Sequence, residues 1–290
     1  MEKEEWKYAV GWGLAVLLLT CVPYFVVWWS TPLQAVFPLV LYSSDDQAVY
    51  FSWMKQAQDG AWLLRNLFTT EPQRGAYFHC YFLLLGWLSR VPALGIPGAY
   101  HLGRIVAGMV VLLLAYRLGA QFHPDRFYRR TVFWTVALSA GLGWLFWRDE
   151  VLTNEPVDVW QPEALTFASL YTNSLFAVSL ALMLGVVLCL LLAEERGARW
   201  AVGAGLCGLA LGNVHSYDMI HLAAVWTLYL LLRWGTERRW PARAVGMALL
   251  AALVASPSVA YMAWLYLSEP VFRARADTET LTPGVDRYLL

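Results

Sequence analysis

Long apolar stretches separated by short charged segments occupy most of the chain. A helix that crosses a bilayer needs roughly 20 apolar residues, or fewer when other helices surround it. The fifth and sixth stretches are short, and the polar turn between them at residues 215–218 predicts a helical hairpin. The pattern therefore predicts seven membrane-spanning helices, at residues 8–29, 100–118, 131–147, 174–193, 200–214, 219–232 and 244–267.

The first loop, residues 30–98, contains an amphipathic stretch that begins with a polar run. Ser44 followed three positions later by Gln47 is a capping-box pattern, which predicts a helix start at Asp45. Gln47 and Lys55 then lie off the apolar face of this helix. That face is formed by four residues at helical spacing: Tyr50, Trp53, Met54 and Ala57. We therefore expect a juxtamembrane helix that lies on the bilayer surface.

A second part of this loop, residues 77–89, is apolar but has only 13 residues between Arg74 and Arg90. That length suits an interfacial or re-entrant helix better than a span, so we expect it on the outer surface. The predicted domain organisation is a single membrane module over residues 1–290, with juxtamembrane helices in its first loop.

Arginine clusters predict the orientation of the helices. They lie at residues 117–130, 196–199 and 233–243, and short cytoplasmic loops carry an excess of Lys and Arg. The N-terminus is therefore expected inside. The segments 30–98, 148–173, 215–218 and 268–290 are expected to face outward.

The composition supports a membrane protein: 59% of the residues are hydrophobic and only 14% are charged, against about 25% charged in soluble domains. The 16 Trp and 15 Tyr suit aromatic belts at both membrane surfaces. A net charge of zero gives no bulk attraction for nucleic acid. The four cysteines form no CxxC motif, so neither a disulfide nor a zinc site is inferred.

The first candidate for chemistry is the acidic pair Asp45 and Asp46. In the first turn of a helix, backbone N–H groups favour ionised carboxylates, which can act as a general base or as metal ligands. Acidic residues are also common in first helical turns, where they only cap the helix. From the residues alone, both interpretations stay open.

Two other outer segments contribute polar candidates. Pro162 suits the first position of the helix that becomes the fourth span, which would place Glu163 in its first turn, where ordinary helix-start chemistry explains it equally well. His215 and Asp218, with His221 one turn later, could hold a divalent cation or a phosphate, or Asp218 could be the N-cap. Because the hairpin helices are short, this turn is expected below the surface, where polar groups are costly.

Several cations are predicted on the outer side. Arg104 lies four residues into the second span beside His101, where an arginine either snorkels to the surface or pairs with an anion. The other outer cations could hold a phosphate or be plain surface charges: Lys55, Arg65, Arg74 and Arg90.

Taken in order, these features resemble the glycosyltransferase C superfamily, which includes protein O-mannosyltransferases and the aminoarabinose lipid A transferase. The family pattern is an inside N-terminus, one span, and an outer loop with an acidic pair on juxtamembrane helices. The resemblance covers nearly the whole chain and is carried by the order of features rather than by one motif. The segments that carry it are residues 44–47, 50–57, 78–86, 104–107 and 116–118.

The resemblance implies an all-α polytopic membrane protein with about seven transmembrane helices. It also implies transfer of a sugar from a polyprenyl-phosphate donor to a lipid, glycan or protein hydroxyl. The transfer would occur with inversion on the outer, periplasmic face of a bacterial inner membrane. Asp45 or Asp46 would deprotonate the acceptor. The donor phosphate would meet a cationic group: Arg104, His101, Lys55, Arg74 or a bound cation.

The family often has a further acid in the second outer loop, here Asp158 or Glu163. These residues, with His215 and Asp218, would contact the donor or a metal. A divalent cation, Mg²⁺ or Mn²⁺, is the one cofactor expected, with candidate ligands Asp46, Asp158, Glu163 and His215. Full-length relatives continue beyond seven spans, whereas this chain stops at Leu290, so we expect a minimal version or a fragment.

Three other classes compete with this interpretation. A transporter or channel predicts charged residues at mid-span or discontinuous helices, and the spans here contain almost no ionisable side chain. A non-catalytic membrane scaffold gives no reason for acids gathered on one face. A polymerase or ligase of surface glycans would share the lipid-phosphate donor. The pattern favours the glycosyltransferase.

Overall fold

The structure is a computed structural model that describes residues 2–146, 158, 161, 163 and 165–277. The predictions that concern Trp147, Pro162 and residues 278–290 lie outside the described residues. The described part is all-helical, with one antiparallel bridge between Leu64 and Tyr77 and no strand.

The helices follow one another in a simple order. They are α1 (Lys3–Ser30), α2 (Ser44–Gln58), α3 (Cys80–Leu88), α4 (Gly95–Phe122), α5 (Arg126–Ala137), a 3₁₀ turn (Gly143–Phe146), α6 (Thr166–Thr172), α7 (Ser174–Arg196), α8 (Ala198–Val214), α9 (Asp218–Glu237), α10 (Ala242–Ser268) and α11 (Pro270–Ala276).

Four of the described helices are long and apolar enough to cross a bilayer: α1, α4, α7 and α10. By length and composition, the chain is therefore an integral membrane protein. The hairpin helices α8 and α9, with 17 and 20 residues, are not among the four. Helix α3 has 9 residues, or about 14 Å at 1.5 Å per residue, so the prediction that this segment is too short to span is confirmed.

The described residues divide into two compact units. The first holds those within Met1–Phe51 and Ala93–Val178, and the second holds those within Ser52–Pro92 and Ser179–Asp277. The unit boundaries fall inside α2 and inside α7. The single module over residues 1–290 stays a prediction.

In the first unit, α1 and α4 run antiparallel. At one end the Tyr116 hydroxyl donates a hydrogen bond to the buried carboxylate of Glu5, which also accepts one from Arg130 at 3.1 Å. Further along, Arg104, in the first half of α4, donates to Thr20 in the second half of α1 at 2.9 Å. Polar contacts therefore hold the two helices together at two levels.

The predicted continuous helix over residues 131–147 is wrong, because α5 ends at Ala137 and a 3₁₀ turn follows only at Gly143. The intervening segment contains Ser139 and Gly141, and serine and glycine are poor helix formers. Hydrogen bonds from residues that begin α6 stabilise the non-helical segment after α5. The backbone N–H of Phe167 donates to the Ser139 carbonyl at 3.2 Å, and that of Thr166 donates to the Ser139 hydroxyl at 3.3 Å.

The start of the fourth span at residue 174 is confirmed, whereas the expectation that its helix begins near Glu163 is wrong. The long helix α7 begins at Ser174, after the short helix α6 and an extended residue, Asn173 (φ −134°, ψ 115°). Glu163 therefore lies well before the first turn of the spanning helix. The Tyr100 hydroxyl of α4 accepts from the Ser174 backbone N–H at 3.1 Å, which stabilises the break between α6 and α7.

In the second unit, α8 and α9 form the predicted hairpin, with a turn at residues 215–217. Small residues let α8 approach α10 closely. A Cβ atom on Gly205 would lie 2.5 Å from Val254 Cβ, and one on Gly212 would lie 2.4 Å from Ser258 Oγ. This glycine seam follows the small-residue rule for helix pairs in membranes.

The second unit also contains a hairpin, residues 61–77, which we call the outer hairpin because it belongs to the segment 30–98 that is predicted to face outward. Its two segments pair at Leu64 and Tyr77, with hydrogen bonds of 2.7 and 3.1 Å. Leu64 and Tyr77 are buried in a cluster with Met262 and Leu265 of α10. The hairpin therefore packs against the C-terminal part of a candidate membrane helix.

Candidate functional site

Asp45 and Asp46 are exposed at the start of α2. The residue before the helix, Ser43, has φ of 47°, and Leu39 has φ of 61°. Both values lie in the left-handed region, which non-glycine residues seldom adopt. The loop that leads to the acidic pair is therefore strained, a feature that clusters at functional sites.

The predicted capping box is wrong. The Gln47 side chain donates from Nε2 to the Tyr42 carbonyl at 2.7 Å and to the Thr172 carbonyl at 3.3 Å, and its Oε1 does not accept from the Ser44 backbone N–H as a capping box requires. The Ser44 hydroxyl donates to Asp45 at 3.3 Å. Gln47 is also fully buried, not off the packed face, because it connects the loop before α2 to the end of α6. The predicted apolar residues Tyr50, Met54 and Ala57 are buried as expected.

Arg104 and His101 fasten the same loop from the other side. Arg104 is 1% exposed, so it does not snorkel, and its guanidinium donates to Thr20 (2.9 Å), the Leu170 carbonyl (2.6 Å) and His101 Nδ1 (3.1 Å). Because His101 Nδ1 accepts this hydrogen bond, Nε2 carries the proton and donates to the Leu39 carbonyl at 2.8 Å. These are positioning contacts, and binding of a donor phosphate by Arg104 or His101 stays a prediction.

Two of the predicted acidic residues, Asp46 and Glu163, affect the pKa of the same residue, Tyr50. Burial, with the negative charges of Asp46 and Glu163, raises the pKa of Tyr50, while a hydrogen bond with Asn173 lowers it. Burial and the charge of Glu163 also raise the pKa of Tyr42. Asp46 and the exposed Glu163 therefore act on one tyrosine, although they are far apart in the sequence.

The polar core beneath these carboxylates is built from α2, α4 and the break between α6 and α7. Asn173 Oδ1 accepts from the Tyr100 hydroxyl at 3.3 Å and from the Leu175 N–H at 2.9 Å. Within the described residues, Gln47 Oε1 is buried without a hydrogen-bond partner. Such a core holds the backbone around the carboxylates and leaves one acceptor unused.

Asp158 has a structural contact of its own. Its carboxylate accepts from the Gly143 backbone N–H at 2.8 Å and lies where a Cβ atom on Gly141 would be, so it secures the break after α5. Its predicted role as a metal or donor ligand stays a prediction.

The second polar cluster lies in the second unit, at the turn between α8 and α9. Asp218 begins α9 but does not cap it: its carboxylate accepts from the Ser179 hydroxyl and lies 2.9 Å from His215 Nδ1. His221 Nδ1 is 3.5 Å from its other oxygen. Burial raises the pKa of Asp218, but the hydrogen bonds from His215 and Ser179 outweigh burial, so the pKa lies below its ordinary value.

Two polar residues hold this turn against the segment before α3. Asn213 accepts from the Cys80 N–H and donates to the Phe78 carbonyl, both at 2.8 Å. His79 is 3.1 Å from the Val214 carbonyl through Nε2 and accepts from the Phe82 N–H at 3.3 Å through Nδ1. Burial lowers the pKa of His79 to about 3, so the imidazole is neutral.

Lys55 and Arg74, the other predicted phosphate ligands, lie in the second unit and are ion-paired. Lys55 contacts Asp59 at 2.5 Å, and Arg74 contacts Glu269 at 2.6 Å. The hydrogen bond and charge of Glu269 raise the pKa of Arg74. Each cation faces a carboxylate, so phosphate binding by either stays a prediction.

In the described residues, no group of three or more His, Cys, Asp or Glu side chains has an arrangement that could hold a metal ion. Asp46, Asp158, Glu163 and His215 as metal ligands, and Mg²⁺ or Mn²⁺ as the cofactor, stay predictions.

Sequence reasoning did not identify the roles of Tyr50, Asn173, Asn213 and His79. A polar amide inside an apolar stretch was the available signal for Asn173 and Asn213, since a buried amide needs partners. Tyr50 was assigned to the apolar face, and that pattern carried no sign of its hydroxyl contact.

Comparisons with protein-family models, with curated proteins and with solved structures each found no match to this chain. The class that the helices define is therefore an all-helical integral membrane protein, and its function is a matter for proposal.

Proposed function

We propose that this protein is a membrane glycosyltransferase. In this proposal it has a seven-span architecture like that of the glycosyltransferase C superfamily. It transfers a sugar from a polyprenyl-phosphate donor to an acceptor hydroxyl on the outer membrane face. The observation that carries the proposal is that the charges of Asp46, at the start of α2, and of Glu163, before α6, both raise the pKa of Tyr50 beside a strained loop.

The loop geometry supports a catalytic role for the acidic pair. Two contacts hold the loop in its strained conformation: His101 binds the Leu39 carbonyl and Gln47 binds the Tyr42 carbonyl. Strain that is held by buried side chains suits a pre-organised site better than a simple helix cap. Both carboxylates are exposed in the first turn of α2, where an acceptor hydroxyl can reach them, as a general base requires.

In the proposed reaction, Asp45 or Asp46 accepts the proton of the acceptor hydroxyl. The acceptor oxygen forms a bond to the anomeric carbon as the bond from that carbon to the phosphate oxygen breaks. Polyprenyl phosphate leaves with the electron pair, and attack from the opposite face inverts the configuration. Hydrogen-bond donors or cations that neutralise the charge of the leaving phosphate lower the barrier to this step. No step of the proposed reaction requires a metal ion.

Full-length protein in detergent, with a labelled lipid-linked sugar, tests this function. We expect Asp46→Asn or Asp45→Asn to lower turnover by roughly 10²–10⁴-fold, the range for loss of a general base. Asp59→Asn, at the other end of the same helix, is the matched control and should retain turnover. Full activity in both Asp45→Asn and Asp46→Asn would remove the proposed base.

A further inference from the structure

The outer hairpin exposes a patch of large apolar side chains beside a cationic cleft. Trp62 is 64% exposed and Phe68 is 59% exposed. The patch, which we call the hairpin patch, consists of Trp62, Leu63, Leu67 and Phe68. Four large apolar side chains exposed on one short hairpin are a candidate interaction surface.

The hairpin patch belongs to a rigid element. The Gln56 side chain accepts a hydrogen bond from the Arg65 backbone N–H at 2.9 Å and donates one to the Arg65 carbonyl at 3.0 Å. The Gln73 side chain likewise accepts from the Asn66 backbone N–H at 2.9 Å and donates to the Asn66 carbonyl at 2.7 Å. With the Leu64–Tyr77 bridge, these pairs fix the backbone from which the patch and the neighbouring arginines project.

The hairpin lies at the end of a candidate membrane helix. The Tyr261 hydroxyl of α10 donates to the Ala76 carbonyl and accepts from the Phe78 N–H, each at 2.6 Å. Glu269, the residue after α10, binds Arg74. The end of a spanning helix lies where hydrocarbon gives way to lipid headgroups, so the hairpin is at headgroup level.

The cleft beside the patch has one unbalanced cation. It has a volume of about 370 Å³, and Arg65, Arg74 and Asp59 are among its lining residues. Asp59 is paired with Lys55 and Arg74 with Glu269. The Arg65 guanidinium has no hydrogen bond or ion pair in the described part of the chain. The cleft therefore carries a surplus positive charge that faces open space.

From these observations we propose that the outer hairpin is a lipid-binding element. The hairpin patch inserts among the lipid chains at the interface, and Arg65 binds the phosphate of an anionic phospholipid headgroup in the cleft. Apolar and aromatic residues beside a cation match the two parts of such a lipid, and a planar guanidinium suits a phosphate. This inference goes beyond the proposed glycosyl transfer and does not depend on it.

Hydrogen–deuterium exchange of the full chain in nanodiscs tests the proposal. We expect slower exchange of residues 61–77 in phosphatidylglycerol than in phosphatidylcholine. Arg65→Gln should weaken the apparent affinity for phosphatidylglycerol about fivefold, the effect of one cation near an anionic surface. Arg65→Lys should retain part of the apparent affinity for phosphatidylglycerol. Arg273→Gln removes one exposed cation on α11, outside the cleft lining, and should leave the lipid preference intact.

Equal exchange in the two lipids, or equal effects of Arg65→Gln and Arg273→Gln, would overturn the proposal. Inorganic phosphate added to the protein in detergent separates lipid from free anion: protection equal to that by phosphatidylglycerol would also overturn it. Trp62→Ser with Phe68→Ser should raise exchange of the hairpin in both lipids, while peptides from α10 stay protected. Unchanged exchange in this double variant would contradict insertion of the patch.

Discussion

At the scale of single residues, the buried partners decide what the exposed acids can do. Asp45 and Asp46 are visible in the sequence as a polar run, and their place in the first turn of α2 follows from helix rules. The link between Asp46 and Glu163 through Tyr50 was not predictable, because it depends on where the break at Asn173 places a second loop. A pattern of apolar spacing marks Tyr50 as packed and says nothing of its hydroxyl.

Arg104 shows the same limit of sequence reasoning. Snorkelling and anion pairing were the two expectations, and the guanidinium instead donates to a histidine, a threonine and a carbonyl. Neutral acceptors from α1, α4 and α6 accept the hydrogen bonds of the guanidinium. Because they are distant in the sequence, these partners could not be predicted before the fold was known. The effect of Arg104 reaches the candidate site through His101 and Leu39.

His79 gives a pH prediction. The folded chain keeps this imidazole neutral down to about pH 3, whereas its ordinary pKa is 6.5. As the pH falls below about 6.5, the unfolded state therefore binds an extra proton and stability decreases, by at most about 1.4 kcal/mol per pH unit. Above about pH 6.5, His79 does not contribute to the pH dependence of the free energy of unfolding. Melting temperatures between about pH 7.5 and pH 5 measure the effect.

The matched variant is His79→Asn, which keeps an N-cap acceptor for α3 but does not titrate. We expect it to be less stable than the parent at neutral pH and to have a flatter acid limb. His123→Asn, at an exposed loop position, should keep the parent slope. An unchanged acid slope in His79→Asn would assign the pH dependence to other groups.

At the scale of elements, the apolar pattern located most helices but not their interruptions. It predicted α1, α4 and α10 closely, since long apolar runs have one structural solution in a bilayer. It missed the end of α5 at Ala137 and the break at Asn173. Both breaks are stabilised by side chains and carbonyls from other segments, and hydrophobic periodicity contains no information on these partners.

The glycine seam between α8 and α10 gives a second prediction. Gly205→Ala places a Cβ atom 2.5 Å from Val254 and should destabilise the protein by about 1–3 kcal/mol through overpacking. Gly246→Ala, on α10, meets nothing within 4 Å and should be neutral or stabilising by up to about 1 kcal/mol, because alanine favours helix. Thermal unfolding in detergent compares the two; equal melting temperatures would contradict close packing at Gly205.

At the scale of the whole molecule, the number of spans decides which loops share a side of the membrane. Four of the described helices meet the length and hydropathy of a span, and the seven-span scheme also needs α8, α9 and the interrupted segment that begins with α5 to cross. In that scheme, His123 and Gly197 are both cytoplasmic and Gly60 is outside. If the interrupted segment did not cross, Gly197 would lie on the opposite side from His123.

Topology reporters fused at Gly60, His123 and Gly197 measure this directly. We expect an outside signal at Gly60 and inside signals at the two others. An outside signal at Gly197 would reduce the span count and would separate the second outer loop, with Glu163, from the side that carries Asp46.

The central claim is that Asp46 and Glu163 serve one site, and a double-mutant cycle on turnover tests it most directly. Asp46→Asn, Glu163→Gln and the double variant are compared with the parent in the lipid-linked sugar assay. Residues that act together show coupling of about 0.5–3 kcal/mol, so the double variant should lose less than the sum of the single losses. Strictly additive losses, or full activity of Glu163→Gln, would contradict a shared site.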